Sequence, residues 1–266
     1  MRLKISHSTR YEYDSPVYYG LQQIRLTPKS RAGQKVLDWR TTVSGGTRQL
    51  EFDDEHNNHV ILINFDTDHA EVSIDCEGEV ETTSNDGVVG EHGGFAPLWL
   101  FLRPTDLTKP GHGVRGLVSA LGRDFDDDIS CLHALSDVIG EKVTYETGRT
   151  DAGTTAEDAL AAGHGVCQDH AHLFVASARL LGFPARYVSG YLMMNSTVEQ
   201  DASHAWAEVH VDGIGWIGFD VSNGISPDER YVRVATGLDY RDAAPVSGVR
   251  LGDSTESMIV SLQVQQ

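Results

Sequence analysis

Gly163-His164-Gly165-Val166-Cys167-Gln168-Asp169-His170-Ala171-His172-Leu173-Phe174-Val175-Ala176-Ser177-Ala178-Arg179-Leu180-Leu181-Gly182-Phe183-Pro184 is the stretch from which the fold is read. Ala171, Phe174, Val175, Ala178 and Leu181 recur at the three- and four-residue intervals of one helix face. Gly182 stands where a left-handed residue ends a helix, and Pro184 blocks continuation. The helix therefore opens at Cys167, behind two glycines that let the backbone approach closely. Unpaired N–H groups and the helix dipole favour an anion at such a start, so a thiol there is favoured as the thiolate that attacks carbonyl carbon. Most cysteines are small buried hydrophobes. Cys76, in a strand pattern, and Cys131, inside a helix stripe, fit that description; Cys167 does not.

A thiolate nucleophile needs a base, and the base needs an acceptor that orients it. His204 heads the run Ala205-Trp206-Ala207-Glu208-Val209-His210-Val211, and Asp220 follows Trp216-Ile217-Gly218-Phe219. A two-residue loop at Asp212-Gly213 would put His204 and Asp220 on opposite faces of a hairpin. A three-residue loop, Val211-Asp212-Gly213, supplies glycine where that hairpin class needs a left-handed residue. His204 then stands directly opposite Asp220, with Cβ atoms about 5 Å apart. The other face becomes Ala205, Ala207, Val209, Ile217, Phe219 and Val221, all apolar. Turn chemistry, core patterning and the pairing choose one register.

Working outward, residues 1–85 read as an all-β, sandwich-like module. Alternating or β-branched runs recur at Leu3 to Ser8, Gln23 to Thr27, Val36 to Val43, Val60 to Phe65 and Val72 to Val80, with no helical period. Residues 86–94 carry Gly87, Gly90, Gly93 and Gly94 and read as a linker. Residues 95–266 read as a second unit that holds the candidate site. Ile129, Leu132, Leu135 and Ile139 mark a helix over 128–143, entered through the carboxylate run Asp124 to Asp128. Thr155 with Asp158 opens a short helix in capping-box fashion. Strands follow over 186–194, 205–211 and 216–221, with a late alternation at Met258, Val260, Leu262 and Val264. Strands, then helices, then antiparallel strands make an α+β fold.

The 266 residues carry 21 Lys+Arg against 39 Asp+Glu, a net charge of −18. That balance argues against a nucleic acid or an anionic membrane as partner, since both are recognised through clustered positive charge. Three widely spaced cysteines are not a disulfide framework. The amino terminus alternates at once, without a signal-peptide core, so a cytoplasmic protein is expected. No P-loop, dinucleotide fingerprint, H-E-x-x-H, C-x-x-C or G-x-S-x-G occurs, and no cofactor is expected. His164, His170 and His172 raise the question of a metal. His170 and His172 are two apart on a helix and do not face each other, so none is expected. Trp206 and Trp216 read as packing, while Glu208 and His210 share the His204 face without an assigned role.

Three blocks in order resemble a known family: Gly165-Val166-Cys167 at a helix start, Ser203-His204-Ala205-Trp206, and Gly215-Trp216 with Phe219-Asp220. They are similar to the transglutaminase-like branch of the papain-fold superfamily. Thr9-Arg10-Tyr11-Glu12-Tyr13-Asp14-Ser15-Pro16-Val17 resembles the β-rich amino-terminal region of its bacterial members, and Asp239-Tyr240-Arg241-Asp242-Ala243-Ala244-Pro245-Val246 resembles their closing segment. The resemblance implies Cys167 as nucleophile, His204 as base and Asp220 as its orienter. It also implies peptidase- or amidase-like hydrolysis of a peptide or protein substrate through a thioester. Transfer of the same acyl group to an amine, or peptide binding without chemistry on the same shell, are the alternatives. Val221 and Ser222 depart from the proline and threonine usual after the aspartate, and Leu238 stands where many relatives have arginine.

Overall fold

The computed structural model describes residues 1–266 except 16, 67–69, 123, 195–197, 201 and 253. Alternation in the amino-terminal third becomes paired strands. β1 (Arg2–Tyr13) buries every second side chain, from Leu3 and Ile5 to Tyr11 and Tyr13, as the pleat requires. β2 (Tyr19–Thr27), β3 (Gln34–Ser44), β4 (Gly46–Asp53), β5 (His59–Phe65) and β6 (Glu71–Thr82) follow. β6 lies between β1 and β3, and β5 between β2 and β4, all antiparallel. Leu3, Ile24, Ile63, Ile74 and Val80 fill the space between the two sheets.

β7 (Val88–Gly90) falls inside the segment expected as a linker and instead forms the edge of the next sheet. The helices come after it: α1 (His112–Leu121) and α2 (Asp128–Lys142), then the short β8 (Thr144–Tyr145), α3 (Ala156–Ala162) and β9 (His164–Gly165). Asp127 caps α2 by accepting the Ser130 N–H at 2.7 Å, and Thr155 caps α3 by accepting the Asp158 N–H at 3.1 Å. β8 and β9 pair in parallel and set Tyr145 beside Gly165.

α4 (Cys167–Leu181) starts and stops where its stripe and caps predict, with Gly182 at φ 99°. It packs on a sheet of β10 (Ala185–Leu192), β12 (His204–Val211), β13 (Gly215–Phe219) and β14 (Tyr231–Gly237), in the order β14-β10-β12-β13-β7; the two-residue β11 (Glu199–Gln200) lies apart. Burial exceeds the apolar stripe, because every side chain from Asp169 to Arg179 is enclosed. Arg179 tolerates this by donating to the carbonyls of Phe101, Ala185 and Leu238 and to the Thr108 hydroxyl. Leu238, which replaces the family's arginine, therefore offers its carbonyl to a buried arginine from another element.

α5 (Tyr240–Ala243) leads to β15 (Val246–Leu251) and β16 (Glu256–Gln265). These last strands correct the expected division at residue 95. β15 pairs with β2, while β16 pairs with β1 and carries β11 on its other edge. Leu262 and Val264 supply missing core of the sandwich, and β16 covers an edge of β1 that would otherwise stand unpaired. Among the described residues no helix is long and apolar enough to cross a membrane.

Candidate active site

The start of α4 is held from two sides. Asp169 accepts the Val166 N–H at 2.8 Å and the Thr150 hydroxyl at 2.7 Å through one carboxylate oxygen. A Cβ on Gly165 would come within 2.7 Å of the Asp169 side chain, so only glycine lets this carboxylate fold back. Cys167 sits half-buried at the first helical position and packs, with Tyr240, against the small cluster that includes Ala171, Tyr187 and Ala205.

The two histidines downstream are committed elsewhere. His170 donates from Nε2 to the Val143 carbonyl at 2.8 Å, which leaves Nδ1 to accept the Ser222 hydroxyl at 2.8 Å. His172 accepts the Tyr240 backbone N–H at 3.1 Å. Burial lowers the pKa of both, that of His172 to about 3. Ser222, one of the departures from the family pattern, thus has a hydrogen-bonding partner in this chain, and Val221, the other, packs in the core under α4. No cluster of three or more metal-ligating side chains occurs among the described residues.

His204 and Asp220 meet, by a route other than the one expected. Glu208 stands opposite Gly218, and Ala207 opposite Phe219, so the register is displaced by two residues from direct opposition of 204 and 220. The turn is Asp212-Gly213-Ile214, with Gly213 at φ 81°, rather than Val211-Asp212-Gly213. Val211 is 4% exposed and stays in the strand because the core under α4 holds it. Gly215, at φ 98°, starts the return strand where a Cβ would overlap the Gly90 carbonyl of β7. A two-residue shift preserves the faces. Ala205, Ala207, Val209, Ile217, Phe219 and Val221 are all buried as expected.

Asp220 has left the β12–β13 ladder and bridges to Ile225 instead. The curl that follows sends its carboxylate back diagonally to His204, where Oδ2 accepts Nε2–H at 2.6 Å. The same oxygen accepts the Asn223 amide and the Tyr231 hydroxyl, each at 2.7 Å. Burial works against charge on Asp220, and these three donors outweigh it and hold its pKa below the usual carboxylate value. On His204 burial again opposes charge, but the hydrogen bonds and charges of Asp220 and Cys167 overcome it and push the pKa up to about 10. The thiol, the imidazole and the carboxylate are therefore one electrostatic unit.

Four neighbours complete the site, and of these only Trp206 belongs to a motif block of the sequence. Asn223 and Tyr231 fix Asp220. Trp206 stacks along His204, with ring centroids 6.3 Å apart. Tyr145, half exposed, has its pKa raised by burial and by the charges of Cys167 and Asp220, and its ring lies tilted against His170 with centroids 6.2 Å apart. Next to Ser203 a cavity of about 180 Å³ opens between β1, β16 and α5. Tyr11, Tyr240, Pro245, Met258 and Val260 give it apolar walls. His7 at its floor is neutral, its pKa lowered to about 4 by burial, and is engaged by Tyr191 and Thr9.

Two family models match this chain: the bacterial transglutaminase-like N-terminal region over residues 3–81, and the transglutaminase-like superfamily core over residues 117–221. The uncharacterised protein ML0607 of Mycobacterium leprae is 30% identical over 99% of this chain and 98% of its own length. The uncharacterised protein Rv2569c of Mycobacterium tuberculosis is 28% identical over 99% of this chain and 92% of its own. A solved structure of a proposed cysteine protease from Cytophaga hutchinsonii superposes with a TM-score of 0.78, at 24% identity, covering all of this chain and 91% of the other; it shows the shared fold. The chain belongs to the transglutaminase-like superfamily and is built with its bacterial amino-terminal region. Cysteine-dependent chemistry at amide bonds is the general activity that this membership supports.

Proposed function

We infer that the protein is a cysteine-dependent amidase or peptidase in which Cys167 is the nucleophile, His204 the acid and base, and Asp220 the group that orients the imidazole. The observation that carries this reading is the unbroken contact from Asp220 through His204 to a cysteine at the first position of a helix. With Nε2 committed to Asp220, Nδ1 is the ring nitrogen left to take the thiol proton, and the transfer gives the thiolate and the imidazolium.

The thiolate attacks the amide carbon and the carbonyl π electrons move to oxygen. The Cys167 N–H, at the helix start and without a hydrogen-bond partner among the described residues, donates to that oxyanion. As the tetrahedral species collapses, the C–N bond breaks and the imidazolium protonates the leaving amine. A thioester remains. The neutral imidazole then takes a proton from water as hydroxide adds to the thioester carbon. Collapse of this second tetrahedral species breaks the C–S bond, which frees the acid product and regenerates the Cys167 thiolate beside the imidazolium.

The apolar cavity beside Ser203 fits one side chain of a peptide or protein substrate. Its volume is below the roughly 300–1,000 Å³ of a whole-ligand pocket. Among the described residues its walls carry no charged side chain, which favours an aliphatic or aromatic residue at that subsite. Incubation with a peptide library and intact-mass detection of a covalent adduct tests the reading. An acyl adduct on wild type that is absent from Cys167→Ala supports it, and absence of any adduct or turnover across the library overturns it. Amine-containing products in place of acids would reassign the second half-reaction to acyl transfer.

A further inference from the structure

Behind the Asp220 side of the site, where the amino-terminal sandwich meets the catalytic sheet, lies a second cavity of about 60 Å³. Its wall includes Arg31, Asn85, Trp206, Glu208, Tyr231 and Arg233. Glu208 is fully buried, and its two oxygens are already taken. Arg186 donates from Nε to Oε2 at 2.6 Å, and Arg233 donates from Nε to Oε1 at 2.8 Å and from Nη2 to Oε2 at 3.2 Å. One carboxylate thus serves two guanidinium groups, and Arg31 brings a third. The Arg31 guanidinium makes no hydrogen bond or ion pair among the described residues. The Asn85 side-chain amide, in the same wall, also has no hydrogen-bond partner among them. Asp228 on the far wall is forked by its own Arg230 at 2.6–3.0 Å and is not available to Arg31.

A largely buried guanidinium without a counter-ion is costly, and two like charges close by add to the cost. Burial, and repulsion from Arg233 and Arg186, lower the Arg31 pKa to about 9 in spite of Glu208. An anion is what the cluster lacks. A guanidinium fork matches the paired oxygens of a carboxylate or phosphate group, and the Asn85 amide adds a neutral donor. The cavity has room for about four water-sized groups, the scale of a single such group.

We propose that the cavity between Arg31, Asn85 and Arg233 is a binding site for a small oxyanion, a phosphate or a carboxylate group. The site is independent of the reaction proposed above. It nevertheless borders that reaction, because Tyr231 and Trp206 have one side on this cavity and the other on Asp220 and His204.

The full chain, wild type and Arg31→Gln, is titrated with sodium phosphate and separately with sodium acetate at ionic strength held constant with sodium chloride. Thermal midpoint and tryptophan fluorescence are read together, since Trp206 lines the cavity. The expected result is a saturable rise in the wild-type midpoint of about 5 °C at a hundred-fold excess over Kd, with a matching fluorescence change, both lost in Arg31→Gln. Saturation by phosphate alone or by acetate alone identifies which oxyanion geometry the site takes. Equal responses in wild type and Arg31→Gln mean an adventitious ion only and overturn the proposal, as does a wild type that responds to neither salt beyond chloride. Asn85→Leu, which keeps all three arginines, serves as the second variant should Arg31→Gln fail to fold; a titration unchanged from wild type in Asn85→Leu then overturns the proposal as well.

Discussion

The Tyr231 hydroxyl reaches across from β14 and donates to Asp220 Oδ2 at 2.7 Å, the oxygen that also accepts His204. The aspartate is thereby held by a group two strands removed from β12. Tyr231→Phe deletes one of four donors to a buried ion, a loss of about 1.5–3 kcal/mol in urea unfolding. Asp220 has a native pKa below its unfolded value, so its contribution to stability is present above the unfolded value and disappears as pH falls through the native one. With a donor gone the shift narrows. The acid limb of both stability and turnover should move to higher pH, and a pH series on the two proteins measures it.

Alkylation reports on the thiol and imidazole together. His204 has its pKa pushed up to about 10, so it stays charged through neutral pH beside Cys167. In His204→Ala that counter-charge is gone. The rate with iodoacetamide at pH 6 should fall by about 10²-fold and recover toward alkaline pH, as for an ordinary thiol. Identical profiles in the two proteins would show that the residues do not act as a pair. Cys76, buried against Thr41 with its pKa raised by burial to about 11, should stay unmodified in both.

Asp220→Asn keeps the shape and loses the acceptor that fixes the imidazole. Turnover of any peptide that forms the acyl adduct should drop by about 10⁴-fold, by analogy with the serine triad. Cys167 should remain titratable by alkylation, which separates misorientation from unfolding.

Glu208→Gln leaves Arg186 and Arg233 buried without their carboxylate, a loss of about 3–5 kcal/mol. In the wild type, burial opposes the Glu208 charge, but the surrounding arginines win and lower its pKa to about 2. Its stabilising effect is therefore complete above the unfolded value of about 4.3 and is lost as pH falls from there toward 2. The difference in denaturation midpoint between wild type and Glu208→Gln should shrink over that window.

Val260→Trp should fill the cavity beside Ser203. Peptides with a large apolar residue at the matching subsite should lose about ten-fold or more in kcat/KM, while those with glycine there change little. An equal loss for both peptide classes would mean that the cavity does not receive a substrate side chain.

What was readable from the residues alone follows the range of the forces involved. α4 is determined by neighbours in sequence, and its apolar spacing, Gly182 and Pro184 mark its limits to the residue. The shared face of His204 and Asp220 follows from strand parity, which a two-residue slip leaves intact. The register itself depends on β7, whose Gly90 carbonyl presses on Gly215, and on the core that keeps Val211 in its strand; neither is local. Alternation in Met258 to Val264 announces a strand but names no partner, so its place beside β1 could not be seen. Tyr231 and Asn223 carry no spacing signal, because they meet Asp220 only after the chain curls past Ile225. Arg31 and Glu208 come together only where the sandwich docks on the sheet.

The pairing of β1 with β16, from Lys4 beside Gln265 to Tyr13 beside Glu256, also sets an order of assembly. A chain emerging from the ribosome presents β1 through β6 before the helices, but each of the two sheets they begin lacks a strand until β15 and β16 are made. The helices and the sheet bearing Cys167, His204 and Asp220 are all available before those edges are closed. The sandwich is begun before the catalytic sheet and completed after it, and the wall of the cavity beside Ser203, drawn from β1 and β16 together, does not exist on any nascent chain that stops short of β16. Nascent chains are thus kept from presenting the finished cavity until β16 has been made.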